Sequence, residues 1–184
     1  MKNILLLGVP RSGKTTFSRM LLERYPKYQI INGDSFRQSI RHLISDSKLS
    51  SYEIGMLDEY QDILYNYFDK CTVYNKDLNY ILDTTNIVPE NAKRYENENS
   101  IIIYFGYPDL TVEEILENIR DNDTEIDWTY DRSDEELLEK IEKYLRASKK
   151  YQKKCADLGY KFVNTSYNRG SVLDELLDWI KYDE

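Results

Sequence analysis

The chain has 184 residues, the size of one ordinary domain, and its 41% hydrophobic and 32% charged residues exclude a wholly disordered polymer. Its 25 Lys and Arg stand against 33 Asp and Glu, a formal net charge of −8, which opposes an extended grip on a phosphate backbone and turns the expectation from long nucleic acid to small ligands. Cys71 and Cys155 lack Cys-x-x-Cys or Cys/His spacing, and no stretch has the ~18 apolar residues of a membrane span or the run of a signal peptide, so a cytoplasmic monomer or homodimer with reduced thiols and no membrane partner is expected.

Ile4 to Leu7 form an apolar run ending at Gly8, the pattern of a strand buried on both faces of a parallel sheet. Lys14 then opens a helix whose apolar residues Phe17, Met20 and Leu21 recur at helical spacing, and Tyr25-Pro26 stops it. Tyr28 to Ile31 make a second short strand. Asn32-Gly33-Asp34 turns the chain into a helix with Phe36, Ile40, Leu43 and Ile44 on one side, capped by Asp34 or Ser35. Ser50 or Ser51, with Glu53, opens a long helix through Ile54, Leu57, Tyr60, Ile63, Leu64 and Tyr67 to about Lys70.

Tyr80 to Leu82 give a third strand running into Asp83-Thr84-Thr85-Asn86, and Pro89 begins a helix at its favoured first-turn position. Ile101 to Phe105 read as a fourth strand and Thr111 to Arg120 as a helix. Asp121 to Ser133 follow as an acidic connector, Asp134 to Leu158 as a long helix, Tyr160 to Val163 as a fifth strand and Ser171 to Tyr182 as a closing helix. Strands alternating with helices imply right-handed crossovers and a parallel sheet covered on both faces, a three-layer α/β fold in one domain over residues 1–184.

Gly8-Val9-Pro10-Arg11-Ser12-Gly13-Lys14-Thr15 matches G-x-x-x-x-G-K-[ST] at every fixed position, between a predicted strand and a predicted helix. The two glycines let the backbone curl so that its N–H groups face a phosphate beside the positive end of the helix. Gly8, Pro10, Arg11, Ser12, Gly13, Lys14, Thr15 and Thr16 are therefore candidate nucleotide-binding residues. Lys14 would neutralise phosphate charge, Thr15 would offer its hydroxyl to Mg²⁺, and Thr16 would help at an adjacent phosphate oxygen. Asp83, at the end of an apolar strand, is the candidate carboxylate for the same ion. The residues after it, Thr84, Thr85 and Asn86, offer no water-activating acid of the kind a hydrolytic motor needs.

Asp34 follows the second strand, at the carboxyl ends that line the ligand crevice of an α/β sheet. A carboxylate there can orient and deprotonate an acceptor hydroxyl, while Arg37 and Arg41, on the same helical face, could clamp an anionic acceptor group. The alternative is an N-capping aspartate on a solvated basic face.

GVPRSGKTTF, INGDSFRQSIRHLI and YILDTTNIVPENAKRY, in that order, resemble phosphate-loop kinases and specifically the kinase domain of polynucleotide 5′-hydroxyl kinases. They are also similar to the broader group of nucleoside and small-molecule kinases sharing that core. The resemblance covers roughly the first 100 residues. It implies a phosphate-loop NTPase sheet of order 2-3-1-4-5, with Asp34 as general base, Arg37 as an acceptor-side phosphate contact, and Lys14 with Thr15 on ATP and magnesium.

It further implies a lid at residues 120–133, where Arg120 and Arg132 are the candidates for stabilising the transferring phosphoryl group. Trp128 and Tyr130 could close over a planar ring, and Asn86 belongs with the acceptor-side candidates. The loop Asn164 to Arg169 corresponds to one that wraps adenine in similar kinases, with Asn168 and Arg169 as its nucleotide-binding candidates. The single His42 reads as a surface or pocket-edge residue. The expected activity is transfer of the γ-phosphoryl of ATP, with Mg²⁺, to a small acceptor such as a nucleoside or nucleotide. A polynucleotide 5′-hydroxyl kinase, an antibiotic- or sugar-modifying kinase and a non-catalytic nucleotide-dependent regulator are the alternatives.

Overall fold

A computed structural model describes residues 1–41, 43 and 49–182; His42 and Ile44 lie outside the described residues. Apolar alternation on the central strand decides the layering. β1 (Asn3–Gly8) sends Leu5 and Leu7 to one face of the sheet and Ile4 and Leu6 to the other, all four fully buried. With β2 (Tyr28–Asn32), β3 (Asn79–Asp83), β4 (Ser100–Gly106) and β5 (Lys161–Asn164) it builds a five-stranded sheet of order β2-β3-β1-β4-β5, parallel throughout. This is the fold class and strand order expected from the sequence. The register sets Leu6 opposite Asp83 and Gly8 opposite Phe105, so the carboxyl ends of the central strands meet at one edge.

The helices, in chain order, are α1 (Lys14–Arg24), α2 (Gly33–Ile40), α3 (Ser51–Met56), α4 (Asp58–Tyr74), α5 (Pro89–Ala92), α6 (Val112–Asn122), α7 (Asp134–Leu158) and α8 (Arg169–Tyr182). Phe17 and Leu21 of α1 and Leu173, Leu176, Leu177 and Ile180 of α8 cover the Ile4/Leu6 face. The other face is covered by α3 to α7, through residues such as Ile54, Tyr60, Leu64, Phe68, Ile115, Ile141 and Tyr151. Burying both faces gives the three layers.

The long helix expected from Ser50 to Lys70 is two helices. α3 is closed by a Ser50–Glu53 capping box at its start and by the Leu57 N–H on the Ile54 carbonyl at its end, with Leu57 extended at φ −69° and ψ 133°. Gly55 weakens helix continuation just before the break, and Asp58 and Glu59 then occupy the positive first turn of α4. α4 runs past Lys70 to Tyr74. Pro89 starts only one α-turn, followed by a 3-10 turn over Lys93–Tyr95. α8 begins at Arg169 rather than Ser171, which puts Arg169 in its first turn. Among the described residues, no helix is long and apolar enough to cross a membrane.

A candidate phosphate-binding active site

β1 delivers the chain into the loop through Gly8 at φ 129°, where a Cβ would stand 2.1 Å from the Phe105 carbonyl oxygen. Only glycine fits there. The loop closes on itself: the Ser12 hydroxyl donates to the Val9 carbonyl at 2.8 Å and Lys14 Nζ donates to the same oxygen at 2.7 Å. Gly13, left-handed at φ 91°, caps α1, whose first-turn amides have no intrahelical partners and carry the positive end of the helix dipole. Two side chains from neighbouring strand ends hold the loop from outside. The Tyr107 hydroxyl donates to the Pro10 carbonyl at 3.0 Å, and Thr165 Oγ1 lies 3.0 Å from the Ser12 carbonyl and 3.1 Å from that of Gly106.

Behind the loop, Lys14 and Asp83 are both buried. Burial pushes the Lys14 ammonium below its ordinary range, against the opposing pull of the Asp83 and Asp34 charges. Burial likewise raises the Asp83 carboxyl, with Lys14 and the Thr15 hydrogen bond pulling the other way. Thr15 Oγ1 donates to Asp83 Oδ2 at 3.3 Å, so a hydroxyl and a carboxylate meet at the mouth of α1. Two such hard oxygen donors fit Mg²⁺, which takes few protein ligands and completes its octahedron with water and phosphate. Among the described residues, no group of three or more His, Cys, Asp and Glu side chains could hold a metal by itself. Thr16 is exposed beside Thr15 on α1.

On the opposite side of the crevice, α2 is capped by the Asn32 side chain, which accepts from the Ser35 N–H at 2.8 Å, rather than by Asp34 or Ser35. That leaves the Asp34 carboxylate for other partners, and it is 58% exposed. Arg37 is only 12% exposed and uses all three of its nitrogens within the protein. NH2 pairs with Asp34 at 2.7 Å, NH1 donates to Asn86 Oδ1 at 2.7 Å, and Nε donates to Ser51 Oγ at 3.0 Å. Arg37 thus joins α2, α3 and the loop after β3 around the Asp34 carboxylate. Arg41 stands exposed at the carboxyl end of α2. Gly33 presses on Thr84, with an added Cβ only 2.6 Å from Thr84 Cβ, and the Tyr60 hydroxyl donates to the Gly33 carbonyl at 2.7 Å. Asp34 acts electrostatically on both Lys14 and Asp83, which puts all three groups in one neighbourhood.

The segment between α6 and α7 is folded by successive turns, with the Asp127, Tyr130 and Arg132 amides donating to the Thr124, Asp127 and Thr129 carbonyls. Both guanidiniums assigned to a lid are engaged locally. Arg120 pairs with Asp134 at 2.7 Å and donates to the Thr129 and Arg132 carbonyls, while Arg132 pairs with Glu136 at 3.5 Å, one helical turn on. It is Arg11 of the phosphate loop that the segment grips, through Asp123 at 2.9 Å and Asp127 at 2.6 Å. Trp128 is 45% exposed with the Lys140 ammonium 4.7 Å from its ring. The Arg169 side chain lies against Gly13 of the loop, where an added Cβ would meet Arg169 Cδ at 3.4 Å. Burial and then the nearby Arg11 charge lower the Arg169 pKa. Asn168, left-handed at φ 49°, turns the chain into α8.

Residues 4–98 match the model of the AAA domain family AAA_33. The adenylate kinase of Thermococcus kodakarensis is 29% identical over 125 residues, 68% of this chain and 53% of that protein. The adenylate kinase of Lactobacillus johnsonii is 28% identical over 120 residues, 65% of this chain and 46% of that one, so the chain spans about half the length of these curated relatives. Among solved structures, shikimate kinase from Bacteroides thetaiotaomicron superposes with a TM-score of 0.62 at 14% identity over 98% of each chain. Deoxyadenosine kinase from M. mycoides with bound dATP gives 0.53 at 15% identity over 98% of this chain and 100% of that one. At these identities the structural likeness carries the fold.

Proposed function

The chain belongs to the AAA domain family, and on that premise we propose that it is an ATP-dependent kinase. The γ-phosphoryl group of ATP passes to a small acceptor, and the adenylate kinase relatives favour a nucleoside or nucleotide. The observation that carries this reading is the Asp34 carboxylate, half-exposed in the first turn of α2 beyond the carboxyl end of β2 and within electrostatic reach of Lys14. A nucleotide-dependent switch has no use for an acceptor-side carboxylate, whereas transfer to a hydroxyl is assisted by a base near the phosphate loop.

In this reading the loop amides and Lys14 hold the β- and γ-phosphates, and Asp34 accepts the proton of the acceptor hydroxyl as its oxygen bonds to phosphorus and the bond to ADP breaks. Arg37 holds the Asp34 carboxylate in place. Thr15 and Asp83 would hold Mg²⁺, which neutralises charge on the phosphates when bound. Catalysis of this kind rests on positioning and electrostatics more than on covalent chemistry. Residues 1–184 act as one kinase domain with segment 120–133 as its lid, and the net charge of −8 favours a small acceptor over a nucleic-acid end.

The test is ATP consumption with Mg²⁺ across nucleosides, nucleotides, 5′-hydroxyl oligonucleotides, aminoglycosides and sugars, with Lys14→Ala as control. Turnover that depends on an acceptor and on Lys14 names the acceptor class. Tight ATP binding that no acceptor converts into transfer would replace the kinase by a regulator.

A further inference from the structure

Arg11 stands where the phosphate loop bends, in the left-handed region at φ 60° that residues with a side chain rarely adopt. Its guanidinium is 18% exposed and is held by two carboxylates on two different nitrogens, NH2 on Asp123 and NH1 on Asp127. Paired donors meeting paired oxygens are also the way a guanidinium grips a phosphate group. Arg169 lies against Gly13 of the same loop, and Lys14 lies within it. Cations gathered around one loop are arranged for a polyanion, and Asp123 and Asp127 supply the oxygens to Arg11.

Both acids are themselves held in position. Asp123 is only 4% exposed, accepts from Thr129 and lies 3.8 Å from Arg120, which in turn pairs with Asp134 at the start of α7. Asp127 accepts from the Thr124 amide at 3.0 Å and the Thr124 hydroxyl at 2.8 Å. Burial alone would raise the Asp127 carboxyl, but those hydrogen bonds and the Arg11 charge outweigh it and keep it below the ordinary range. A charge chain Arg11–Asp123–Arg120–Asp134 therefore ties the phosphate loop to α7.

We propose that segment 120–133 is an electrostatic latch on the phosphate loop, in which Asp123 and Asp127 occupy Arg11 until the polyphosphate of a nucleoside triphosphate displaces them. The inference rests on the loop binding nucleotide, as in the proposed function, and not on transfer. Arg11 is then a phosphate ligand withheld by the lid. The segment is released on binding rather than drawn in by arginines of its own. A ligand must carry enough charge to outcompete two carboxylates, so triphosphate is favoured over diphosphate by more than the loop alone would give.

The test measures binding of inorganic tripolyphosphate and of ATP to the full chain by calorimetry. Asp127→Asn, at the more exposed of the two acids, and the Asp123→Asn/Asp127→Asn pair should each tighten tripolyphosphate binding, the pair by fivefold or more. Glu125→Gln/Asp131→Asn changes the same charge at exposed positions of the same segment and should shift the affinity by less than twofold. In a Trp179→Phe background, Trp128 emission of the otherwise unaltered protein with tripolyphosphate should match that of the ligand-free double variant. Unchanged or weaker binding in the latch variants, equal tightening in the charge control, or no binding by any of these proteins overturns the latch. A protein that shows the predicted tightening but phosphorylates no acceptor keeps the latch and loses the kinase reading.

Discussion

Gly55 and Asn86 lie so close that a Cβ on Gly55 would stand 2.1 Å from Asn86 Nδ2 and 3.1 Å from Arg37 NH1. The missing side chain on α3 is what lets the Arg37–Asn86 pair fit beneath it, and through Arg37 it positions Asp34. Alanine within a helix ordinarily adds up to about 1 kcal/mol over glycine. Here the clash reverses the sign: Gly55→Ala should lose about 1–3 kcal/mol, as overpacked sites do. It should also lower kcat/KM at least tenfold, read by thermal melting and steady-state kinetics together. A variant that melts higher with full activity would detach Gly55 from the site.

Asp34→Asn removes the proposed base and keeps the shape of the side chain. ATP affinity should change little, because the loop's amides and the hydrogen bond of Lys14 to the Val9 carbonyl are kept, while transfer falls by roughly 10²–10⁴-fold, the usual worth of a positioned acid or base. Single-turnover kinetics with calorimetric ATP binding separate the two effects. Equal loss of binding and turnover would make Asp34 part of the loop's electrostatics instead.

The sequence made legible what is local. G-x-x-x-x-G-K-[ST] fixes a loop by its own glycines, and the apolar run Ile4 to Leu7 announces a strand buried on both faces, as β1 is. The break at Leu57 was hidden because apolar residues keep a helical period straight through it, and nothing local says that Gly55 must approach Asn86. Asn32 takes the cap expected of Asp34 or Ser35, since a cap is decided by where the strand ends. The partners of Arg11 were beyond reach for a plainer reason. Asp127 lies 116 positions away, and only the folded chain brings it back to Arg11. Arg120 and Arg132 carry an expectation from resemblance, and acids near them in the chain, Asp123 and Asp134 for Arg120 and Glu136 for Arg132, engage those charges locally.

The buried Asp83 carboxyl should make magnesium binding sensitive to mild acid. Its folded pKa lies above the ordinary 3.8, so the folded state holds the proton more tightly than the unfolded chain. Ionisation therefore subtracts stability as pH rises from 3.8 through the folded value, and an ion that prefers the carboxylate competes with that proton. Mg²⁺ dependence of ATP binding should weaken as pH falls while exposed carboxylates are still ionised. Asp83→Asn should bind Mg²⁺ more weakly at neutral pH and lose this component of the pH profile, which titration of both proteins with and without Mg²⁺ would show. Identical profiles would remove Asp83 from the metal.

Thr165 follows β5, and its hydroxyl lies within hydrogen-bonding distance of the Ser12 and Gly106 carbonyls, bridging the phosphate loop and the end of β4. It is 1% exposed, so water does not readily replace it. Thr165→Val keeps the volume and removes the donor, leaving a buried carbonyl short of a partner at a cost of about 1–3 kcal/mol. Because the Ser12 carbonyl belongs to the loop, the lost contact should also loosen the arc of amides that faces the phosphates. We expect a several-fold rise in the ATP dissociation constant with little change in acceptor KM. That asymmetry separates loop positioning from general destabilisation, which would move both constants together. Thr165→Ser retains the donor and should restore ATP affinity even though it loses a methyl group from the packing. Failure of serine to do so, with binding tracking thermal stability across the variants, would assign Thr165 to the core alone.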